Sequence, residues 1–115
     1  IDVRSPEEFA GTNDDSSPPA TAPALRNGHI PTARNFPWAE SVHANSRFRS
    51  RAELDEIYGA LKASEETVIY CHLGDQSAHT WFVLKHLLGF DKTRNYDGSW
   101  VEWGNMVRMP IERGE

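Results

Sequence analysis

Apolar and polar positions change period several times along this chain. Ile1-Asp2-Val3-Arg4 is the pattern of a short strand or the end of one. Ser5-Pro6-Glu7-Glu8 follows, with a capping serine, a proline suited to the first helical position, and a glutamate that completes a capping box. Gly11 keeps that helix short. Residues 12–27 show no apolar period and predict a surface loop. Gly28-His29-Ile30-Pro31 closes the loop, and Ala33 to Phe36 predicts a second strand stopped by Pro37. Ser50-Arg51-Ala52-Glu53 is another capping box, and Leu54, Ile57, Tyr58 and Leu61 then share one helical face.

The second half of the chain follows the same alternation. Thr67 to Tyr70 is a β-branched and aromatic run, a buried strand with Cys71 at its end. Ala78 to Leu88 predicts a helix with a wide apolar face, terminated by Gly89. Thr93 to Tyr96 is the next strand, Asp97-Gly98 a turn, and Ser99-Trp100-Val101-Glu102 the capped start of a last short helix. Strands alternating with helices imply an α/β fold with a parallel sheet flanked by helices.

Composition narrows the function classes. The 115 residues fit one domain. A net charge of −5 makes nucleic acid and anionic lipid poor default partners. One cysteine forbids an internal disulfide and multi-cysteine metal sites. No apolar run approaches the ~20 residues of a membrane span. A cytoplasmic location is the expectation, although the chain opens at Ile1 inside an apparent strand and reads as a fragment.

The chemical signal is Cys71-His72-Leu73-Gly74-Asp75-Gln76-Ser77, lying between a strand and a helix. Parallel sheets bind ligands at the carboxyl ends of their strands. A helix start adds unpaired N–H groups and the positive end of a dipole. A cysteine placed between the two is a candidate nucleophile, and the five residues from His72 to Gln76 can curl around its sulfur.

These residues, taken together, resemble the rhodanese family of sulfurtransferases over essentially the whole chain. The matching pieces are Ile1-Asp2-Val3-Arg4-Ser5 with Glu7 to Gly11, Gly28-His29-Ile30-Pro31 with Ala33-Arg34-Asn35, Ile69-Tyr70-Cys71 with Gly74 and Ser77-Ala78, Leu88-Gly89, and Asn95 to Trp100. The region from Cys71 to Trp103 looks most like the C-terminal, catalytic half of two-domain thiosulfate sulfurtransferases, so residues 1–115 read as one rhodanese-like domain of a tandem.

The resemblance implies a mechanism without metal or organic cofactor. Cys71 attacks the sulfane sulfur of a donor such as thiosulfate, becomes a persulfide, and yields that sulfur to cyanide or an acceptor thiol. The N–H groups of His72, Leu73, Gly74, Asp75, Gln76 and Ser77 would hold the persulfide. Asp2 and Arg4 would pair as a brace, Ser99 would cap its helix and orient the loop, and Trp100 would edge the pocket. Trp103 is assigned to the core, and His79 and His86 to the surface.

The loop departs from its relatives. Thiosulfate enzymes often carry cations in this loop, whereas here it has none and includes Asp75; Glu8 stands where several eukaryotic relatives have arginine. Weak thiosulfate binding, or a different donor, is expected. Mercaptopyruvate sulfur transfer and a non-catalytic binding or regulatory module are the alternatives. A phosphatase is disfavoured, because Ser77 stands where its clamping arginine belongs.

Overall fold

The computed structural model describes residues 1–13 and 23–115. Within them, β1 (Thr67–Ile69) and β2 (Thr93–Asn95) run parallel, with Thr67 opposite Thr93 and Ile69 opposite Asn95. Tyr70, just past β1, bridges Asp2, and Asp2 bridges Asn35, both in the parallel sense. Four chain segments therefore lie side by side in the order Asn35, Asp2, β1, β2.

The predicted strands at 1–4 and 33–36 are reduced to these single bridges. The Arg4 N–H turns inward to Asp2 Oδ1 at 2.9 Å, which stops the first ladder. Pro37 has no N–H to continue the second.

Both capping boxes form at the first two helices. In α1 (Pro6–Ala10), Ser5 Oγ accepts from the Glu8 N–H and Glu8 Oε2 accepts from the Ser5 N–H. Glu8 is thereby committed to its own helix start. Ser50 and Glu53 repeat the arrangement at α2 (Arg51–Ile57). That helix ends a turn before Leu61, which still packs against the core.

The crossover from β1 to β2 is α3 (Asp75–Phe82), prolonged by a π-helical turn over Val83–Leu87. It begins three residues earlier than the apolar pattern predicts. Its first turn carries Asp75 and Gln76, polar residues that contribute no periodicity. Val83, Leu84 and Leu88 meet Val3, Leu54, Tyr58, Ile69 and Cys71 in the core. Burial of each large aliphatic side chain stabilises by roughly 1.5–3 kcal/mol, so this seam fixes α3 against the sheet.

Most of the predicted 12–27 loop, residues 14–22, lies outside the described residues. Its end is not loose. The Arg26 guanidinium donates to the carbonyls of Trp103, Gly104, Met106 and Met109, which closes the C-terminal end of α4 (Ser99–Trp103). No helix among the described residues is long and apolar enough to cross a membrane.

Candidate active site

Cys71 lies two residues beyond β1, after Tyr70, at the carboxyl end of the sheet, and is fully buried. Its backbone is held from the far side by α4. The Trp100 N–H donates to the Cys71 carbonyl (2.9 Å), and the Val101 N–H to the His72 carbonyl (3.0 Å). The Cys71 N–H donates to Ser99 Oγ at 3.1 Å, while that hydroxyl donates to the Tyr96 carbonyl at 2.9 Å.

Ser99 therefore does not cap α4. The N-cap position is Gly98, which makes no side-chain cap bond, and Ser99 sits at a left-handed φ of 54° with its hydroxyl spent on Cys71 and Tyr96. Glu102, the expected capping partner, instead accepts from the Tyr96 hydroxyl at 2.7 Å. That contact and burial push the Tyr96 hydroxyl up to about 12, with burial the larger cause.

The loop turns over the sulfur at Gly74. Its φ is 101°, and a Cβ there would lie 2.6 Å from the Asp97 carbonyl, so only glycine fits. This turn aims the Gly74 N–H at Sγ, 3.0 Å away. The Gly74 carbonyl points the other way and accepts from Ser77 Oγ (3.1 Å), the Ala78 N–H (3.1 Å) and Asn95 Nδ2 (3.4 Å). Asn95 belongs to the Asn95-to-Trp100 motif but carries no site role in the sequence reading; its place at the end of β2 puts it on the carboxyl edge of the sheet.

Three more polar atoms surround Sγ. Ser77 Oγ lies at 3.3 Å, Asp75 Oδ1 at 3.8 Å and Ser99 Oγ at 3.8 Å. Gly74 and Ser77 are buried, His72 and Gln76 half-buried, and Leu73 and Asp75 exposed. The described backbone bonds leave the N–H groups of Asp75, Gln76 and Ser77 without carbonyl partners, as a first helical turn must.

Behind the loop stands a buried ion pair. Arg4 Nη2 donates to Asp2 Oδ2 at 2.7 Å and to the Gly28 carbonyl at 2.6 Å, and its guanidinium lies 4.7 Å from the Trp100 ring. Trp100 is thus a core residue, 1% exposed, and not the pocket edge expected. Its indole N–H donates to the Arg26 carbonyl. Trp103, expected in the core, is half-buried with its ring edge to Tyr96. His29 holds its turn through Nδ1 and the Phe9 carbonyl at 2.7 Å.

His79 departs from its surface assignment. It is half-buried on α3, stacked on Phe48 and edge-on to Trp38. Burial holds its imidazole below the ordinary value, and Nδ1 has no hydrogen-bond partner. The folded state therefore favours the neutral ring, and protonation favours unfolding as pH falls below about 6.5. Thermal melts of the parent and of His79→Gln test this. The parent should lose stability relative to the variant between pH 7 and pH 5, and a difference independent of pH contradicts it.

Among the described residues, no group of three or more His, Cys, Asp or Glu side chains is placed to hold a metal ion.

The family described as "Rhodanese-like domain" matches residues 1–106. The chain is 57% identical over its full length to a thiosulfate sulfurtransferase of Corynebacterium glutamicum, of which it covers 38%. It is 46% identical to the sulfur carrier protein TtuD of Thermus thermophilus, covering 41% of that protein. Among solved structures, a probable thiosulfate sulfurtransferase aligns over 96% of this chain and 41% of its own, with 32% identity and a TM-score of 0.67. The chain thus spans about two-fifths of the length of these relatives.

Proposed function

The chain belongs to the rhodanese family, and from that premise we propose that it moves sulfane sulfur from a donor such as thiosulfate to cyanide or a thiol through a persulfide on Cys71. The observation that carries this reading is the Gly74 N–H pointed at Sγ from 3.0 Å at the carboxyl edge of a parallel sheet. The first-turn N–H groups of α3 are the further donors that an outer sulfur would meet, so the negative charge of a persulfide is received by fixed dipoles. No metal or organic cofactor enters the mechanism.

Sulfur transfer is a double displacement. Sγ bonds to the donor's outer sulfur as the donor's own S–S bond breaks, and sulfite leaves. The acceptor's nucleophile then takes the outer sulfur and returns the cysteine. Because no second cysteine is present, the acceptor comes from outside this chain. Sγ is closed to solvent, so the loop must give way before a donor reaches it. In this reading the chain is the C-terminal half of a tandem, and its preceding domain completes the pocket. The lengths of the relatives support a place in a longer chain.

The test is mass spectrometry of the full parent protein after exposure to thiosulfate, mercaptopyruvate and other donors. Cys71 should gain one sulfur atom, removable by cyanide. Failure to gain sulfur from any donor would support a binding or regulatory module instead.

The loop also sets a donor preference. It holds no Lys or Arg, and Asp75 places a carboxylate oxygen 3.8 Å from Sγ. A charge-assisted contact is worth roughly 1.5–3 kcal/mol, so Gln76→Arg should raise kcat/KM for thiosulfate by about 10–100-fold. The gain should be seen chiefly as a lower KM. An unchanged KM in steady-state assays would mean that the donor does not pass this position.

A further inference from the structure

We propose that Asp75 is the proton acceptor for Cys71, a catalytic role that rests on the sulfur-transfer reading above. Among the described residues, the contacts of Sγ are to four polar atoms, of which the Gly74 N–H is a donor. Ser77 Oγ gives its proton to the Gly74 carbonyl, and Ser99 Oγ gives its proton to the Tyr96 carbonyl, so both turn lone pairs toward the sulfur. The fourth atom is Asp75 Oδ1, to which Sγ donates at 3.8 Å. Three acceptors and one donor form a setting that receives a proton from Sγ–H.

Only one of the three acceptors is a base. A hydroxyl oxygen that has already donated its hydrogen can accept a hydrogen bond, but it is far too weak a base to take a second proton, whereas a carboxylate can take one in passing and release it again. Asp75 is exposed on its outer side, so a proton received there can pass on to solvent or to a leaving group. Its backbone is the first residue of α3, fixed by the Gly74 turn, which keeps the oxygen beside the sulfur.

The step balances with thiosulfate as co-reactant. The Sγ–H proton moves to Asp75, the Sγ electron pair forms the bond to the outer sulfur of thiosulfate, and the S–S bond of thiosulfate breaks. Sulfite leaves with that electron pair and takes the proton from Asp75 as hydrogen sulfite. Cys71 is left as a persulfide anion, and the carboxylate is restored.

The experiment uses the full parent protein and three variants: Asp75→Asn, Asp75→Glu and His72→Gln, the last because the imidazole of His72 is the other base on the loop. Asp75→Asn should lower kcat for thiosulfate by about 100-fold or more. KM should stay level or fall, since a carboxylate that repels the donor is gone. Asp75→Glu should recover part of kcat. Iodoacetamide, which needs no sulfur donor, should alkylate Cys71 more slowly in Asp75→Asn than in the parent at neutral pH. Asp75→Ser serves the same purpose if the asparagine variant does not fold. A kcat within threefold of the parent, faster alkylation, or a loss seen only in His72→Gln overturns the proposal. If the parent forms no persulfide with any donor, the sulfur-transfer reading falls, and the alkylation rates still decide whether Asp75 takes the proton.

Discussion

Replacing Cys71 by serine should abolish persulfide formation and lower sulfur transfer by about 1,000-fold or more, with the fold retained. The first half of that expectation follows from the inventory of nucleophiles. Cys71 is the one cysteine of the chain, and the hydroxyls nearest to it, Ser77 and Ser99, are each committed to a carbonyl. Neither can form a species able to hand on a sulfane sulfur. The second half follows from the surroundings of Sγ. A serine hydroxyl at this place can still accept from the Gly74 N–H and donate toward Ser77 or Asp75, so no buried polar group is stranded. The change in stability should therefore stay near 1 kcal/mol. Steady-state assays with thiosulfate and cyanide, run beside thermal melts, separate the two effects. Turnover surviving in a folded Cys71→Ser protein would move the chemistry elsewhere on the molecule.

How much of this arrangement is legible in the residues depends on whether the contact is local. The two capping boxes at Ser5 and Ser50 form as read, because their partners are three residues away. The strand before Cys71 is equally clear, since a β-branched and aromatic run allows little else. The start of α3 is misplaced by three residues because polar Asp75 and Gln76 give no apolar phase, and Gly74, which no serine-type cap signals, supplies the turn. Ser99 with Glu102 has the spacing of a capping box, yet its two side chains are drawn away. One goes to the backbone of Cys71, 28 residues distant, and the other to Tyr96. Trp100 and His79 fail in the same way. Their burial is decided by Arg4 and Arg26 in one case and by Trp38 and Phe48 in the other, and no periodicity within the helix encodes those neighbours.

The Asp2–Arg4 pair shows why such distant contacts matter to the site. Asp2→Ala should destabilise the protein by about 3–5 kcal/mol, because it leaves the Arg4 guanidinium buried without its counter-charge. Both side chains are at most 2% exposed, so water cannot take over from the missing carboxylate. For a domain of this size that loss corresponds to a fall in Tm of roughly 10–20 °C. The consequence extends to catalysis. Arg4 is also fastened to the Gly28 carbonyl and lies over Trp100, whose own N–H holds the Cys71 carbonyl. A guanidinium that shifts to seek water disturbs α4, and α4 fixes the backbone on which the sulfur stands. Arg4→Lys should not preserve the arrangement, since an ammonium cannot make the paired contacts to both Asp2 oxygens while also reaching Gly28. Removing both charges, as in Asp2→Asn with Arg4→Met, should recover part of the stability, because the desolvated cation is then gone. Denaturant titrations of the three variants measure this directly. A loss below 1 kcal/mol for Asp2→Ala would show that the guanidinium finds another partner, and that the brace behind the cysteine is not the pair itself.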